Sequence, residues 1–394
     1  MKILVINSGS SSVKFKLFQH GKKLQELASG MIDSIGTPHC TFIYKTQENT
    51  NQLPHKTRTN RQAIKTIIRH LISENLIKNH KDIAIVGHRV VHGGDKLTAP
   101  TLINKNVIKE IAKLTTLAPL HNNANLKSIT NSIKLIKQAR HVAIFDTAFH
   151  QTMPEVAYRY AIPTEYLEKH KIRRYGFHGT SHSYVIKEAI KLLKNKSAKI
   201  ISCHLGNGSS ITAYHKKVLD TTMGFGPLEG IPMGTRSGTI DPTIILHLSE
   251  TLKMPTSKIK NLLNNESGLK ALSELSSDMR LIHQAATKGD QKAQFAIKYL
   301  AYRCALQIAG YIAILGGVDA ITFTAGIGRN AYYLRQEIFQ NLKIFGITLS
   351  PTANKNCQQL ISKKTSTAKV FIIPTDEELE IANQSLQLIK SLKK

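Results

Sequence analysis

Arg236 stands alone in the stretch DTTMGFGPLEGIPMGTRSGTIDP, from Asp220 to Pro242, whose five glycines and three prolines exclude a regular helix or strand across most of it. A long ordered loop inside a globular chain usually serves a function, and an arginine with few charged neighbours suits an anion in a cleft. Arg89 in GHRVVHGG, His178 in RYGFHGTSH and Asp146 at the end of HVAIFD are placed similarly, on loops or at strand ends. Three cationic or donor groups and one carboxylate are what is needed to bind a carboxylate and to stabilise a phosphoryl group in transfer. Each taken alone reads equally well as a structural residue.

Three glycine- and serine-rich turns favour the functional reading. The first, N-S-G-S-S-S, joins MKILVINS to SSVKFKLF, with Lys14 just beyond it. Exposed backbone N–H groups and hydroxyls in such a turn can cradle a phosphate. The second recurs in AKIISCHLGNGSSITAYHKKVLD, where Gly208-Ser209-Ser210 matches Gly9-Ser10-Ser11 and His215-Lys216-Lys217 resembles Gly21-Lys22-Lys23. A repeated strand–turn–strand unit implies internal duplication, with two phosphate hairpins facing each other across a cleft. DAITFTAGIGRN supplies the third, expected as a strand, a glycine loop and a helix start. There is no Walker A motif and no G-x-G-x-x-G after a first strand, so P-loop and Rossmann enzymes are disfavoured. Two H-x-x-x-H pairs, His88/His92 and His178/His182, have metal-ligand spacing, but both sit beside glycines and lack the helical pattern of a zinc site.

The elements that must position these groups alternate between strand and helix. Strand alternation puts Val13, Phe15 and Leu17 on one face. Helical periodicity appears at Ile64, Ile67, Ile68 and Leu71, then near 104–116 and 122–138, with strands at Ile83–Val86 and His141–Asp146. Helices are expected near 243–253, 256–264, 278–288 and 291–315, a last strand at Lys369–Pro374, and a final helix with Thr375 as N-cap. Residues 36–60 resist assignment, and 354–368 read as a polar surface excursion. The pattern is α/β, with helices packed on largely mixed sheets.

At 394 residues, 41% hydrophobic and 20% charged, the chain is globular and long enough for two domains. Its apolar N-terminal run is too short for a signal peptide, and Cys304–Val318 falls short of the ~20 residues that span a bilayer. Four scattered cysteines indicate neither disulfides nor a cysteine zinc site, and a cytoplasmic setting is expected. The net charge of +28 is spread along the chain without interleaved aromatics, which disfavours a nucleic-acid surface and suits anionic substrates.

Block after block, NSGSSSVKF, GHRVVHGG, LAPLHNNANL, FDTAFH, RYGFHGTSH, HLGNGSS, MGFGPLEGIPMGTRSG, TAGIGRN and PTDEEL resemble acetate kinase, in order and over essentially the full chain. The resemblance implies a duplicated, two-lobed actin-like ATPase fold of ribonuclease H type with a central cleft, and a homodimer. It implies an N-terminal lobe of residues 1–148 with 378–394 and a C-terminal lobe of residues 149–377. The implied activity is reversible Mg²⁺-dependent transfer of the ATP γ-phosphate to acetate, with Mn²⁺ able to substitute.

Carried onto this sequence, the resemblance has Asn7 and Glu377 position the metal and Lys14 contact ATP. The nucleotide site would comprise His204, Leu205, Gly206, Asn207 and Gly208, with Asp278, Met279 and Arg280, and with Gly326, Ile327, Gly328, Arg329 and Asn330. Arg89 would bind the acetate carboxylate, and Val91, Leu120, Phe177 and Pro227 would close a pocket round its methyl group. His178 and Arg236 would stabilise the transferring phosphoryl group with His121 nearby, and Asp146 is the family's acid/base residue. A carboxylic acid is already ionised at neutral pH, so no base is needed; Asp146 is expected to orient an arginine or a metal-bound water. Arg329, Asp376 and Thr239 depart from the family's usual glutamate, asparagine and aspartate. A propionate kinase, and an ATP-driven clamp on the same fold, are the alternatives.

Overall fold

The chain, seen here as a computed structural model, is described over residues 1–9, 11–46, 50–116 and 119–392, with the side chains of residues 116 and 119–121 outside the description. It divides into two compact units, Met1–Phe149 with Asp376–Lys394, and His150–Thr375. Glu377 therefore belongs to the first unit.

The first unit contains β1 (Lys2–Ser8), β2 (Val13–His20), β3 (Leu24–Asp33), β4 (Thr41–Thr46), β5 (Thr50–Pro54), β6 (Ile83–Val90), β7 (Thr101–Leu102) and β8 (Arg140–Phe145), in the sheet order β5-β4-β3-β2-β1-β6-β8-β7. The second contains β9 (Ile200–Leu205), β10 (Ser209–His215), β11 (Lys217–Thr221), β12 (Ala320–Thr324) and β13 (Lys369–Ile372), in the order β11-β10-β9-β12-β13. Without β4, β5 and β7 the two ladders match. In each, the first strand pairs antiparallel with the second and the second with the third, while the first runs parallel to the fourth and the fourth to the fifth. The duplication visible in the hairpin sequences is thus a duplication of whole sheets.

Alternation along β1 feeds two cores. Leu4 and Ile6 pack with Phe15, Ile64 and Ile67 on one face, where helix Asn60–Ser73 lies. Ile3 and Val5 pack with Ile85, Ile144, Ile381 and Ala382 on the other, under the C-terminal helix Glu377–Ser391. A strand buried on both faces reads as a continuous apolar run, as KILVI does. Gly87 in β6 lets that helix approach, since a Cβ there would stand 2.8 Å from Ile381 Cγ2 and 2.9 Å from Ser385 Oγ. In the second unit, Ile201, Cys203 and Leu205 of β9 belong to one core with Ala301, Cys304 and Ile308 of helix Gln291–Leu315, which Gly316 ends in the left-handed conformation. No helix among the described residues is long and apolar enough to cross a membrane.

Several local expectations change. Residues 36–60, too polar to assign, hold strands β4 and β5 at the sheet edge, where one face meets water. Residues 354–368 are more than a surface excursion, because Asn354 and Ile361 are buried. Asp376, not Thr375, caps the last helix, its carboxylate accepting from Leu379 N at 2.9 Å. Asp278 caps helix Met279–Thr287 in the same way. The glycine loop expected after β12 is instead the helix Ala325–Asn330, entered through Ala325 at φ +63°. A non-glycine residue in that region costs about 1–3 kcal/mol and tends to sit at functional sites.

Candidate active site

Three parallel strands of the first unit, β1, β6 and β8, end side by side, and their C-terminal ends carry Asn7, Arg89 and Asp146. Asp146 N donates to Val90 O at 3.0 Å, which fixes the carboxylate beside the arginine. Arg89 donates from Nε to Asp146 Oδ1 and Oδ2 at 3.1 and 3.0 Å and from Nη2 to Oδ2 at 2.6 Å. Its Nη1 lies 3.4 Å from Asn7 Oδ1 and 3.5 Å from Glu377 Oε2. Burial opposes the Arg89 charge, but Asp146 and Glu377 outweigh it and the guanidinium is held more firmly protonated than usual. The Nε edge of the fork is committed to Asp146, and Glu377 is the second carboxylate beside it, at Nη1.

Glu377 is pushed above the ordinary carboxylate range, first by burial, with Arg89 pulling the other way and Asp146 and Glu378 reinforcing the rise. Asn7 Nδ2 donates to Glu378 Oε1 at 3.2 Å, and the Asn7 side-chain oxygen faces Arg89. Lys14 faces Asn7 across the β1–β2 ladder, its side chain exposed. Val91 follows β6, and its N–H donates to Asn125 Oδ1 at 3.1 Å. The buried Asn122 and Asn125 were not anticipated as site residues. Asn122 exchanges both hydrogen bonds with the His92 backbone, and Asn125 Nδ2 donates to Ser8 O at 2.8 Å, pinning the loop after β6 to the end of β1. Their signal was two asparagines three apart on a helix, on its buried side. Leu120 and His121 lie outside the residues whose side chains are described, and Ser10 of the first turn is likewise outside.

In the second unit, Gly206 to Gly208 form the tight turn of the β9–β10 hairpin, with Gly206 N donating to Gly208 O at 3.1 Å. Ser209 and Ser210 belong to β10 rather than to the turn. His178 and Arg236 converge on that turn: a Cβ on Gly208 would lie 3.4 Å from His178 Nε2 and 3.6 Å from Arg236 Nη1. His178 sits at φ +56° at the head of helix Gly179–Leu193, its ring stacked on His204 at 4.2 Å. Arg236 donates from Nη1 to Pro227 O at 3.2 Å, and among the described residues no carboxylate pairs with it. Burial lowers its pKa. Gly234 is required where it is, because a Cβ would run into Asn207 Oδ1, and Gly234 N donates to Asn207 O at 3.0 Å. Phe177 is buried, its carbonyl accepting from His150 Nε2 at 2.8 Å.

A cavity of about 850 Å³ opens beside the hairpin turn, lined by Gly206, Asn207, Asp278, Met279, Arg280, Gly326, Ile327 and Asn330 among others. Leu205 and Gly328 are not in its lining; both are buried, and a Cβ on Gly328 would touch Leu205 Cβ at 3.6 Å. His204 is also buried behind the turn, and Arg329 is exposed. Arg280 folds back onto Asp278, from Nη2 to Oδ2 at 2.6 Å, and holds that carboxyl below its usual range. Sequence reasoning missed His283 and Tyr333, which stack at 3.5 Å and 8° in the cavity wall. No motif marks them, because they come from two helices apart in sequence. Fully buried Arg335 braces the helix Ala325–Asn330, donating to the carbonyls of Gly328 at 2.6 Å and Arg329 at 2.9 Å.

The Thr239 departure ties its own loop, accepting from Gly230 N at 3.0 Å and donating from N to Gly230 O at 2.8 Å. The Asp376 departure pairs with Lys16 at 2.8 Å, and Lys16 also reaches Glu26 at 3.2 Å.

Comparison with known proteins extends over the same residues. Residues 2–383 match the model of the acetokinase family. The chain is 45% identical to an acetate kinase from Acetivibrio thermocellus over 100% of both chains, and 42% identical to one from Pseudothermotoga lettingae over 99% of this chain and 98% of that one. Among solved structures, a propionate kinase from Francisella tularensis superposes with a TM-score of 0.92 at 40% identity, covering 98% of this chain and 99% of that one. Acetate kinase from Porphyromonas gingivalis gives 0.91 at 38% identity, covering 98% and 99%. With its duplicated α/β sheets and with every sequence block in order, the chain belongs to the acetokinase family.

Proposed function

We propose that this protein transfers the γ-phosphate of ATP to acetate, reversibly, giving acetyl phosphate and ADP. The observation that carries the reading is Arg236, a half-buried cation with no carboxylate partner among the described residues, set beside His178 and a glycine turn at the edge of a nucleotide-sized cavity. The cavity in the second unit takes the nucleotide, with the Gly206–Gly208 backbone toward its phosphates. His178 and Arg236 meet the charge that spreads over the equatorial oxygens during transfer.

The first unit supplies the acceptor. The Arg89 guanidinium binds the acetate carboxylate, and Asp146 holds it in place rather than removing a proton, since acetate is already an anion at neutral pH. The family resemblance assigns Val91, Leu120, Phe177 and Pro227 to contacts with its methyl group and His121 to the phosphoryl group. Asn7 and Glu377 fit a hard cation, offering amide and carboxylate oxygens. No group of three histidine, cysteine or acidic ligands occurs among the described residues, which suits Mg²⁺ or Mn²⁺ that keeps phosphate and water ligands. Such an ion neutralises phosphate charge when bound. Lys14 adds a contact to the nucleotide.

The reading includes a cytoplasmic homodimer. Four free cysteines support a reducing setting. Exposed Phe295, Tyr302 and Leu306 fall on one stripe of helix Gln291–Leu315, a face of the kind that a second copy covers. The Francisella relative makes propionate a second substrate to consider, because one methylene is worth only about 1–3 kcal/mol. Trapping acyl phosphates as hydroxamates across acetate, propionate and butyrate tests the reading: acetate should give the highest kcat/KM, and product from none of the acids would overturn it.

A further inference from the structure

The pair His178/His182 has metal-ligand spacing, yet its two rings converge on one hydroxyl. Ser210 Oγ lies 2.9 Å from His178 Nδ1 and 2.8 Å from His182 Nε2, and His182 Nδ1 lies 2.9 Å from Ser202 Oγ. Ser210 and His182 are fully buried. We infer that Ser210 is a positioning residue that fixes His178 in one tautomer, with the proton on Nε2 beside the Gly208 turn. This inference rests on the reading of His178 as a phosphoryl-stabilising donor.

Proton counting bounds the possibilities. A serine hydroxyl has a single hydrogen and two lone pairs, so Ser210 donates to at most one of the two imidazoles. In one direction the chain runs Ser202 O–H to His182 Nδ1, His182 Nε2–H to Ser210 Oγ, and Ser210 O–H to His178 Nδ1. The proton of neutral His178 is then on Nε2, aimed at the turn. In the reverse direction, or with Ser210 accepting from both rings, neutral His178 would present a bare nitrogen lone pair there and repel a phosphate oxygen. The charged groups facing this ring are the Arg236 guanidinium, on the same side of Gly208, and the stacked His204, while His150 lies edge-on to His182 at 5.7 Å. A neutral Nε2–H donor serves a phosphoryl oxygen without adding a second positive charge next to Arg236. Burial holds His182 neutral, with His150 and His204 adding to the effect, so His182 serves as a fixed link in the chain.

Imidazole ¹⁵N shifts of ligand-free, histidine-labelled protein at pH 7.5 test this, with the His178 signals assigned by their loss in H178N. The expected result is His178 protonated at Nε2 and bare at Nδ1. S210A should shift His178 toward the Nδ1–H form and lower kcat about 10–100-fold with the KM for ATP little changed. S210T, which keeps the hydroxyl, should restore both. Wild-type His178 protonated at Nδ1, or an unchanged tautomer in S210A, would overturn the inference. A His178→Ala enzyme with undiminished kcat would instead remove the phosphoryl role while leaving the tautomer result standing.

Discussion

Arg89 of the first unit and Arg236 of the second are both half-buried arginines, and their surroundings are opposite. Arg89 is enclosed by carboxylates, two contacts at or below 3.0 Å to Asp146 and Glu377 at 3.5 Å. Among the described residues, Arg236 donates only to a backbone carbonyl at 3.2 Å and the Met233 sulfur at 3.7 Å. The duplicated sheets therefore carry different electrostatics on one scaffold. A neutralised, oriented guanidinium suits a ligand carrying one charge, such as acetate. A desolvated guanidinium lacking a counter-ion suits charge that arrives with phosphate and grows in the transition state.

That contrast orders the expected effects. Arg236→Ala should lower kcat about 10²–10³-fold with little change in the KM for ATP, as seen in steady-state kinetics; an effect confined to KM would erase the distinction. Arg89→Ala should raise the KM for acetate about 10–100-fold, the worth of a charge-assisted fork, with a smaller change in kcat. An unchanged acetate KM would place the carboxylate elsewhere.

Stability separates the two arginines from the histidines around them. Burial pushes His92 down to about 4 from 6.5, and burial aided by His141 pushes His88 well below the ordinary value. Native His92 stays neutral while the unfolded chain takes up a proton, so its contribution is intact above pH 6.5 and is lost as pH falls toward 4. At 1.36 kcal/mol per unit, the 2.5-unit drop is worth about 3 kcal/mol. The thermal midpoint should fall steadily over that window, and a flat profile between pH 6.5 and 4 would contradict buried neutral histidines. Asp376→Asn should show the smallest effect, at most about 1 kcal/mol in urea denaturation, since the amide can still cap the helix and only the partly exposed pair with Lys16 is lost. A loss of several kcal/mol would mean that the pair holds Glu377 in place.

Much of this was legible in the sequence because its signals are local. KILVINS and KIISCHL announce central strands, and the repeated Gly-Ser turns announce the duplication. Arg236 is conspicuous for the charges missing around it, and the carboxylate at a strand end is hydrogen-bonded to Arg89. What escaped depends on distant pairing. Strands β4 and β5 are edge strands with little apolar pattern, and the His283–Tyr333 stack joins helices separated by the long Gln291–Leu315 helix. Residues Gly326 to Asn330 look like a loop by glycine content, but buried Arg335 satisfies the carbonyls at the end of the helix they form. Ser210 reads as a phosphate-turn residue until the fold turns its hydroxyl toward two histidines.

The most direct test follows the phosphorus. With γ-³²P-labelled ATP, Mg²⁺ and acetate, the account predicts label in acetyl phosphate in a one-to-one ratio with ADP, and almost no ADP when the acid is omitted. Label released as inorganic phosphate at a rate indifferent to acetate would contradict it and leave a nucleotide-driven clamp on the same fold.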